Sequence, residues 1–362
     1  MKLVRSPFFT LLILFFFSDI LIAQEKEWRN GVLIDEFISP DMPVPSVHAS
    51  TIAETSSGLI VAFFGGQHEG NSDVSIYISR QKGNSWTTPQ KIVEGLVEGS
   101  ERKACYNPVL FYYPDGELIL FYKIGKNVQD WSGYLVRSLD DGKTWSKPEA
   151  LPEGFLGPIK NKPILIGDKL ICSSSTENDG WQVHFEITED KGKTWRKTEK
   201  INSNALSIIQ PSILELKDGR LQIICRSQNE YLISAFSSDR GETWSDPIAL
   251  SVPNNNSGTD AVTLHDGRHL LVYNHVKAKQ SAYVDKARTP LNVAISDDGI
   301  TWKASLILED SCIGEYSYPS LIQGKDGYVH VVYTWRRKNI KYVKINPSVL
   351  ITKRFVGGQW PE

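Results

Sequence analysis

A chain of 362 residues, 41% hydrophobic and 23% charged, has ordinary globular make-up, buries a large core and is not disordered. Its formal net charge of -2 gives no broad positive field for nucleic acid or an anionic membrane, so an acidic ligand must be met by a local cluster of Arg or Lys. Cys105, Cys172, Cys225 and Cys312 stand too far apart for a clustered zinc motif. In an exported chain they could pair, although each lies in or beside a strand-like run that equally suits a buried free thiol.

Lys2 and Arg5 precede an apolar run from Phe8 to Phe17, and Leu21-Ile22-Ala23 offers a small residue for cleavage. This pattern predicts an export signal over 1–23 and a periplasmic or extracellular mature chain, 24–362, that forms one domain. The apolar run is short for a membrane span, and no later stretch approaches the needed length. Oligomeric state has no readable signal.

From residue 58 onward, short apolar runs follow glycine-containing turns at a regular interval. They begin at Gly58, Gly116, Gly167, Gly219, Gly267 and Gly327, as in Gly58-Leu59-Ile60-Val61-Ala62-Phe63, and read as strands. Between them lies a second repeat, Ser-x-Asp-x-Gly-x-Thr-Trp, complete at Ser138, Asp140, Gly142, Thr144 and Trp145 and at Ser237, Asp239, Gly241, Thr243 and Trp244. Thr188, Asp190, Gly192, Thr194 and Trp195 repeat it with Thr first. Ile295, Asp297, Gly299, Thr301 and Trp302 lose the hydroxyl, and Ser79, Gln81, Gly83, Ser85 and Trp86 lose the carboxylate. Within a box Gly permits an unusual backbone, Asp and Thr bond turn amides, and Trp fills a large volume, so the boxes read as folding staples.

Six units of four short strands, with no helical period longer than about two turns, predict an all-β fold, a six-bladed β-propeller of four-stranded antiparallel blades. The segment 31–38 has no box and is expected to complete the last blade. In such a fold the first strand of each blade lines the central channel. The residues expected to open these strands, and so to converge at one mouth, are His48, Asn107, Lys162, Gln210, Asp260 and Tyr318. From Asn107, Gln210 and Tyr318 the count to the turn glycine is nine; from His48 it is ten.

With its boxes and this ring, essentially the whole mature chain resembles the sialidase superfamily of Asp-box (BNR) repeat proteins. That resemblance implies three arginines on a substrate carboxylate, a Tyr nucleophile paired with a Glu, and an Asp acid. Tyr318, in Tyr-Pro-Ser-Leu, matches the nucleophile, and Arg226 and Arg288 match the second and third arginines. His48 stands where the family has its first arginine, and Gln210 where it has the Glu. The acid loop corresponds to Gly65-Gly66-Gln67-His68-Glu69-Gly70-Asn71-Ser72-Asp73, with Asp73, ahead of Glu69, as the proton donor.

The implied activity is that of a secreted or periplasmic exo-glycosidase releasing a terminal acidic sugar from a glycan. Arg226 and Arg288 would fork the carboxylate, while His48, Asn107, Lys162, Gln210 and Asp260 would line the sugar. A His48 and Tyr318 base–acid pair acting on a uronic-acid glycan by β-elimination is an alternative. A non-catalytic glycan-binding propeller is another. No dinucleotide or Walker pattern is present, and the boxes lack the spacing of calcium loops, so neither cofactor nor metal is expected.

Overall fold

The computed structural model describes residues 27–362 apart from 97, 98, 100, 179, 202–205, 278–287 and 313. The export signal expected over 1–23 lies outside the described residues. Six antiparallel sheets form six propeller blades, four of four strands and two with a short fifth.

Blade 1 contains Ser46–Thr55, Gly58–Gly66, Ser75–Lys82 and Gln90–Glu94; blade 2 contains Ala104–Tyr112, Leu118–Gly125, Ser132–Ser138 and Glu149–Ala150. Blade 3 is Ile164–Ile166, Lys169–Thr176, Gln182–Thr188 and Arg196–Lys197, and blade 4 is Ile208–Glu215, Leu221–Ser227, Tyr231–Ser237 and Ile248–Pro253. Blade 5 is Asp260–Thr263, His269–Tyr273, Leu291–Ser296 and Trp302–Glu309. Blade 6 takes Tyr316–Gln323, Val329–Trp335 and Asn339–Ile345 from the end of the chain, and Val32–Phe37 from its beginning. The latter pairs antiparallel with Asn339–Ile345, so the segment expected to complete the last blade closes the ring.

Blades stack face to face, which covers the inner sheets on both sides and explains why their second strands are nearly continuous apolar runs. Leu118–Gly125 is buried throughout. Each of the six blade interfaces holds its own apolar cluster. Val61 and Phe63 of blade 1, for example, pack with Val332, Ile340 and Tyr342 of blade 6. Cys105, Cys172 and Cys225 are buried free thiols in these layers, and Cys312 is exposed and free. Among the described residues no helix is long and apolar enough to cross a membrane.

The boxes lock each blade to its predecessor. In blade 2, Asp140 Oδ1 accepts from the amides of Lys143 (3.0 Å) and Thr144 (2.8 Å) and from Ser138 Oγ (2.8 Å), while Oδ2 accepts from Thr144 Oγ1 at 2.7 Å. Trp244 of blade 4 stacks on Phe185 of blade 3 with ring centroids 4.5 Å apart. The blade 5 box is corrected by the structure: it begins at Ser296 and uses Asp298, whose Oδ1 accepts from Ser296 Oγ (2.9 Å) and the amide of Thr301 (2.6 Å). It keeps its hydroxyl and is one residue shorter between Asp and Gly, which is why a fixed spacing selected Ile295 and Asp297.

Four inner strands share one irregularity. Two residues oppose one between His48 and Thr51, Tyr106 and Val109, Ile209 and Ser212, and Ser317 and Ser320. The first bulged residue is left-handed each time: Ala49 (φ 52), Asn107 (φ 37), Gln210 (φ 55) and Tyr318 (φ 52). A positive φ is uncommon outside Gly and unfavourable for a bulky side chain, and bulges re-aim side chains beside functional sites.

Candidate active site

The residues that meet around Tyr318 lie at the rim where the inner strands begin, opposite the boxes. Register corrects the expected ring. Ala49, nine residues before Gly58, is the counterpart of Asn107, Gln210 and Tyr318, and His48 precedes it by one. In blade 4, Glu215 pairs with Leu221, which pairs with the box residue Ser237; in blade 3, Leu165, Leu170 and Thr188 do the same. Five residues upstream of Glu215 and Leu165 stand Gln210 and Lys160. By the same pairing, Thr263 with His269 and His269 with Ser296, blade 5 contributes Gly258.

Lys162 and Asp260 therefore belong two residues deeper, and they pair with each other at 2.9 Å. Asp260 is fully buried; its carboxylate also accepts from Ser212 Oγ (2.9 Å), its own strand's Ala261 amide (2.9 Å) and the Leu321 amide (3.0 Å). That side chain crosslinks blades 3, 4, 5 and 6 across the channel instead of facing the mouth. Asn107 is also turned into the wall, its Nδ2 donating to the Ile159 carbonyl at 3.1 Å.

Tyr318 sits at the centre of the mouth. Its Oη accepts from Arg226 Nη1 at 3.1 Å and from Gln210 Nε2 at 3.3 Å. Gln210 Oε1 in turn accepts from Arg226 Nη1 at 3.2 Å. Gly258 makes room for this arrangement, because a Cβ there would stand 3.2 Å from the Tyr318 ring and 3.4 Å from Gln210 Oε1. Arg226 is buried, braced by Asn256 Oδ1 at 2.9 and 3.2 Å, and lies 5.0 Å from the Trp181 ring centroid. Arg288 lies 5.4 Å from the centroid of the Tyr318 ring. Lys160 Nζ lies 5.7 Å from it and donates to the carbonyls of Thr259 (2.8 Å) and Pro319. Burial lowers the Lys160 ammonium to about 7; Asp260 opposes this, while Lys162 and Arg226 add to it.

The His48 ring packs 4.4 Å from the ring of Tyr318. Burial first, then the charges of Arg337, Arg288, Lys160 and Arg226, hold its imidazole well below its ordinary value, so His48 is neutral at pH 7. Its Nδ1 is 3.0 Å from Thr334 Oγ1, and its Nε2 is 3.5 Å from Arg337 Nη2. A guanidinium only donates, so the ring proton is assigned to Nδ1 and a lone pair to Nε2.

Arg337 was not among the sequence candidates. It lies in the turn after Val329–Trp335, and its Nε donates to Glu315 Oε1 (3.1 Å) and Oε2 (3.0 Å). Glu315 Oε1 also accepts from Arg288 Nη1 at 3.2 Å. Burial pushes the Glu315 carboxyl up, but Arg288 and Arg337 outweigh it and hold the group below the usual carboxylate range. Glu69 reaches the same cluster through Arg337 Nη1. Asp73, the first choice for the acid from sequence, instead closes its own loop, with Oδ2 accepting from the Gln67 amide at 2.8 Å. The signal for Arg337 was the basic trio Arg336-Arg337-Lys338 in a tight turn of the blade that carries Tyr318.

The BNR repeat-like domain family matches residues 57–331, well over half of the chain. The chain belongs to that family. It is 26% identical to an anhydrosialidase of Macrobdella decora over 62% of this chain and 33% of that protein. A sialidase of Paraclostridium sordellii is 28% identical over 59% of this chain and 58% of the relative, so the match takes in less than two thirds of either protein. Among solved structures, the Hadza microbial sialidase Hz136 superposes with a TM-score of 0.71 and 16% identity, covering 85% of this chain and 67% of the other, which establishes a shared fold.

Proposed function

We propose that this BNR repeat-like protein is an exported, sialidase-type exo-glycosidase that releases a terminal acidic sugar from a glycan. The observation that carries the reading is Tyr318, strained at φ 52 and held by Arg226 and Gln210 within a mouth ringed by cations. The names of the relatives support the substrate class, and make sialosides the first substrates to test.

In this reading Arg226 and Arg288 bind the sugar carboxylate, since paired donors on a guanidinium match two carboxylate oxygens. Beside Gln210 opens a cleft of about 480 Å³, lined by Trp131, Ser175, Asn178 and His184 among others. Lined by Gln210 but by none of Tyr318, Arg226 and Arg288, it suits a substituent of the sugar whose anomeric carbon and carboxylate lie at those three residues. Tyr318 Oη attacks the anomeric carbon, or shields the positive charge that develops there. As the C–O bond to the leaving group breaks, Glu69 or Asp73 gives its proton to the departing oxygen. Contact with the arginine cluster favours Glu69. Water then cleaves the Tyr–sugar bond and restores the phenol.

Gln210 cannot take the phenol proton, because an amide oxygen is a very weak base. His48 is neutral, carries a lone pair at Nε2 and is the only imidazole packed on Tyr318 among the described residues. We assign that proton to His48 once Nε2 is released by Arg337, whose Nη2 faces the lone pair at 3.5 Å. Tyr318→Phe is expected to lower kcat by at least ~10³-fold with the fold intact, the scale on which loss of a group acting in the transition state is felt. A variant as active as the parent would remove Tyr318 from the chemistry.

A further inference from the structure

We propose that Arg337 is a third carboxylate-binding arginine of this site and that Glu69 is its exchangeable counter-ion, displaced when the substrate carboxylate arrives. The proposal rests on the reading of an acidic substrate, and names the residue and the exchange that select it.

Blade 1 places Ala49 at the level of the ring and His48 one residue before it, so that blade brings no cation there. The vacancy in charge is filled from blade 6. Arg336 (φ 51) and Arg337 (φ 53) are successive left-handed residues in a turn closed by the Lys338 amide and the Trp335 carbonyl at 2.9 Å. Such a turn favours Asn-Gly, and two arginines there carry a backbone cost that their own turn does not require. What the conformation achieves is to set Arg337 over the mouth, 3.5 Å from His48, which itself packs on Tyr318.

The two carboxylates on Arg337 are held differently. Glu315 is the anchor: it spans Arg337 and Arg288 and also accepts from Ser317 Oγ at 3.0 Å, which fixes the two guanidinium groups side by side. Glu69 is 41% exposed at its side chain and reaches Arg337 through one oxygen. It belongs to the loop that follows the strand Gly58–Gly66 and carries Gly70 at φ 92. Two positive and two negative charges are then in balance. Exchanging the Glu69 carboxylate for that of the sugar preserves the balance, so it avoids the cost of an unpaired buried charge. A neutral sugar offers no replacement anion and leaves Glu69 in place. Freed from Arg337, Glu69 takes a proton from water before it serves as the acid for the departing oxygen, so recognition of the carboxylate also readies the acid.

The test is calorimetric binding of N-acetylneuraminic acid, D-glucuronic acid and their neutral methyl esters to the parent and to Arg337→Met, Arg337→Lys and Glu69→Gln, with turnover measured separately. One charge-assisted fork predicts that Arg337→Met weakens binding of the preferred acid between about 10- and 100-fold and leaves its ester unchanged. Arg337→Lys should recover part of the loss. Glu69→Gln should bind the acid more tightly than the parent while kcat falls by about 10²-fold or more. Unchanged acid binding by Arg337→Met, or a Glu69→Gln variant that binds the acid more weakly than the parent, would overturn the proposal. A parent protein that binds neither acid would overturn the acidic-substrate reading itself.

Discussion

Gln210 can face its two neighbours in only one orientation. Arg226 has no acceptor, so Oε1 must point to it, and Nε2 is left to donate to Tyr318. Gly258 is the reason the three side chains fit, and it was invisible to a search for polar residues. Gly258→Ala would drive a methyl group against the Tyr318 ring, which must shift by a few tenths of an ångström. Because small misplacements of a reacting group are costly, kcat should fall between several-fold and about tenfold with Tm almost unchanged. Thermal melts alongside initial rates check this; a rate equal to the parent's would show that the Tyr318 ring has slack.

The residue scale is also where the sequence was least legible. Asn107, Gln210 and Tyr318 were placed at the correct level because a bulge keeps the count to the turn glycine at nine. The same count in blades 1 and 5 leads to Ala49 and Gly258, which have no polar side chain to mark them, whereas the nearby His48 and Asp260 do. Blade 3 has a shorter hairpin, so the count itself fails and Lys160 is found only through backbone pairing. Polarity marks what contacts a ligand, but register is set by hydrogen bonding, and small residues in a ring make space for large ones.

At the scale of the element, the boxes were legible because their chemistry is local: a turn of fixed length needs its Gly, its carboxylate and its hydroxyl at fixed offsets. Asp140 is held at about 2, chiefly by the Thr144 amide and hydroxyl, and Asp190 at about 2 by the Thr194 hydroxyl and amide. Asp239, although burial opposes it, is also held at about 2 by Thr243. All three lie below the unfolded value near 3.9, so their contribution to stability is complete above about pH 4 and is lost as pH falls toward 2. Asp140→Ala removes four hydrogen bonds from an exposed turn and should cost about 1–2 kcal/mol at pH 7. The deficit relative to the parent should shrink between pH 4 and pH 2 in chemical denaturation, with kcat unchanged at neutral pH because the box lies at the far rim. A deficit constant across that range would mean that the Asp140 charge is not what stabilises the turn.

For the whole molecule, the period of the repeats specified the propeller, and the lone strand 31–38 specified how it closes. Closure joins Val32–Phe37 to Asn339–Ile345, so the ring is held by pairing between the two ends of the chain. Removing residues 27–37 would expose the edge of Asn339–Ile345, whose Ile340, Tyr342 and Val343 are buried, and should lower Tm by more than ~10 °C. A similar loss from an equally long deletion elsewhere in a surface loop would show that closure has no special weight. The global charge of -2 was no guide to the mouth, where Arg226, Arg288, Arg337 and Lys160 gather around His48, which packs on Tyr318.

These scales meet in the claim that Tyr318 and its surrounding cations release a terminal acidic sugar by hydrolysis. The most direct measurement is the mass of the products after incubation with a panel of oligosaccharides capped by sialic or uronic acids, for the parent and for Tyr318→Phe. The account predicts a free acidic sugar and a shortened glycan whose summed mass exceeds the substrate by one water, with neither formed by Tyr318→Phe. An unsaturated uronate absorbing in the ultraviolet with no gain of water, or substrates bound tightly and returned intact, would contradict it.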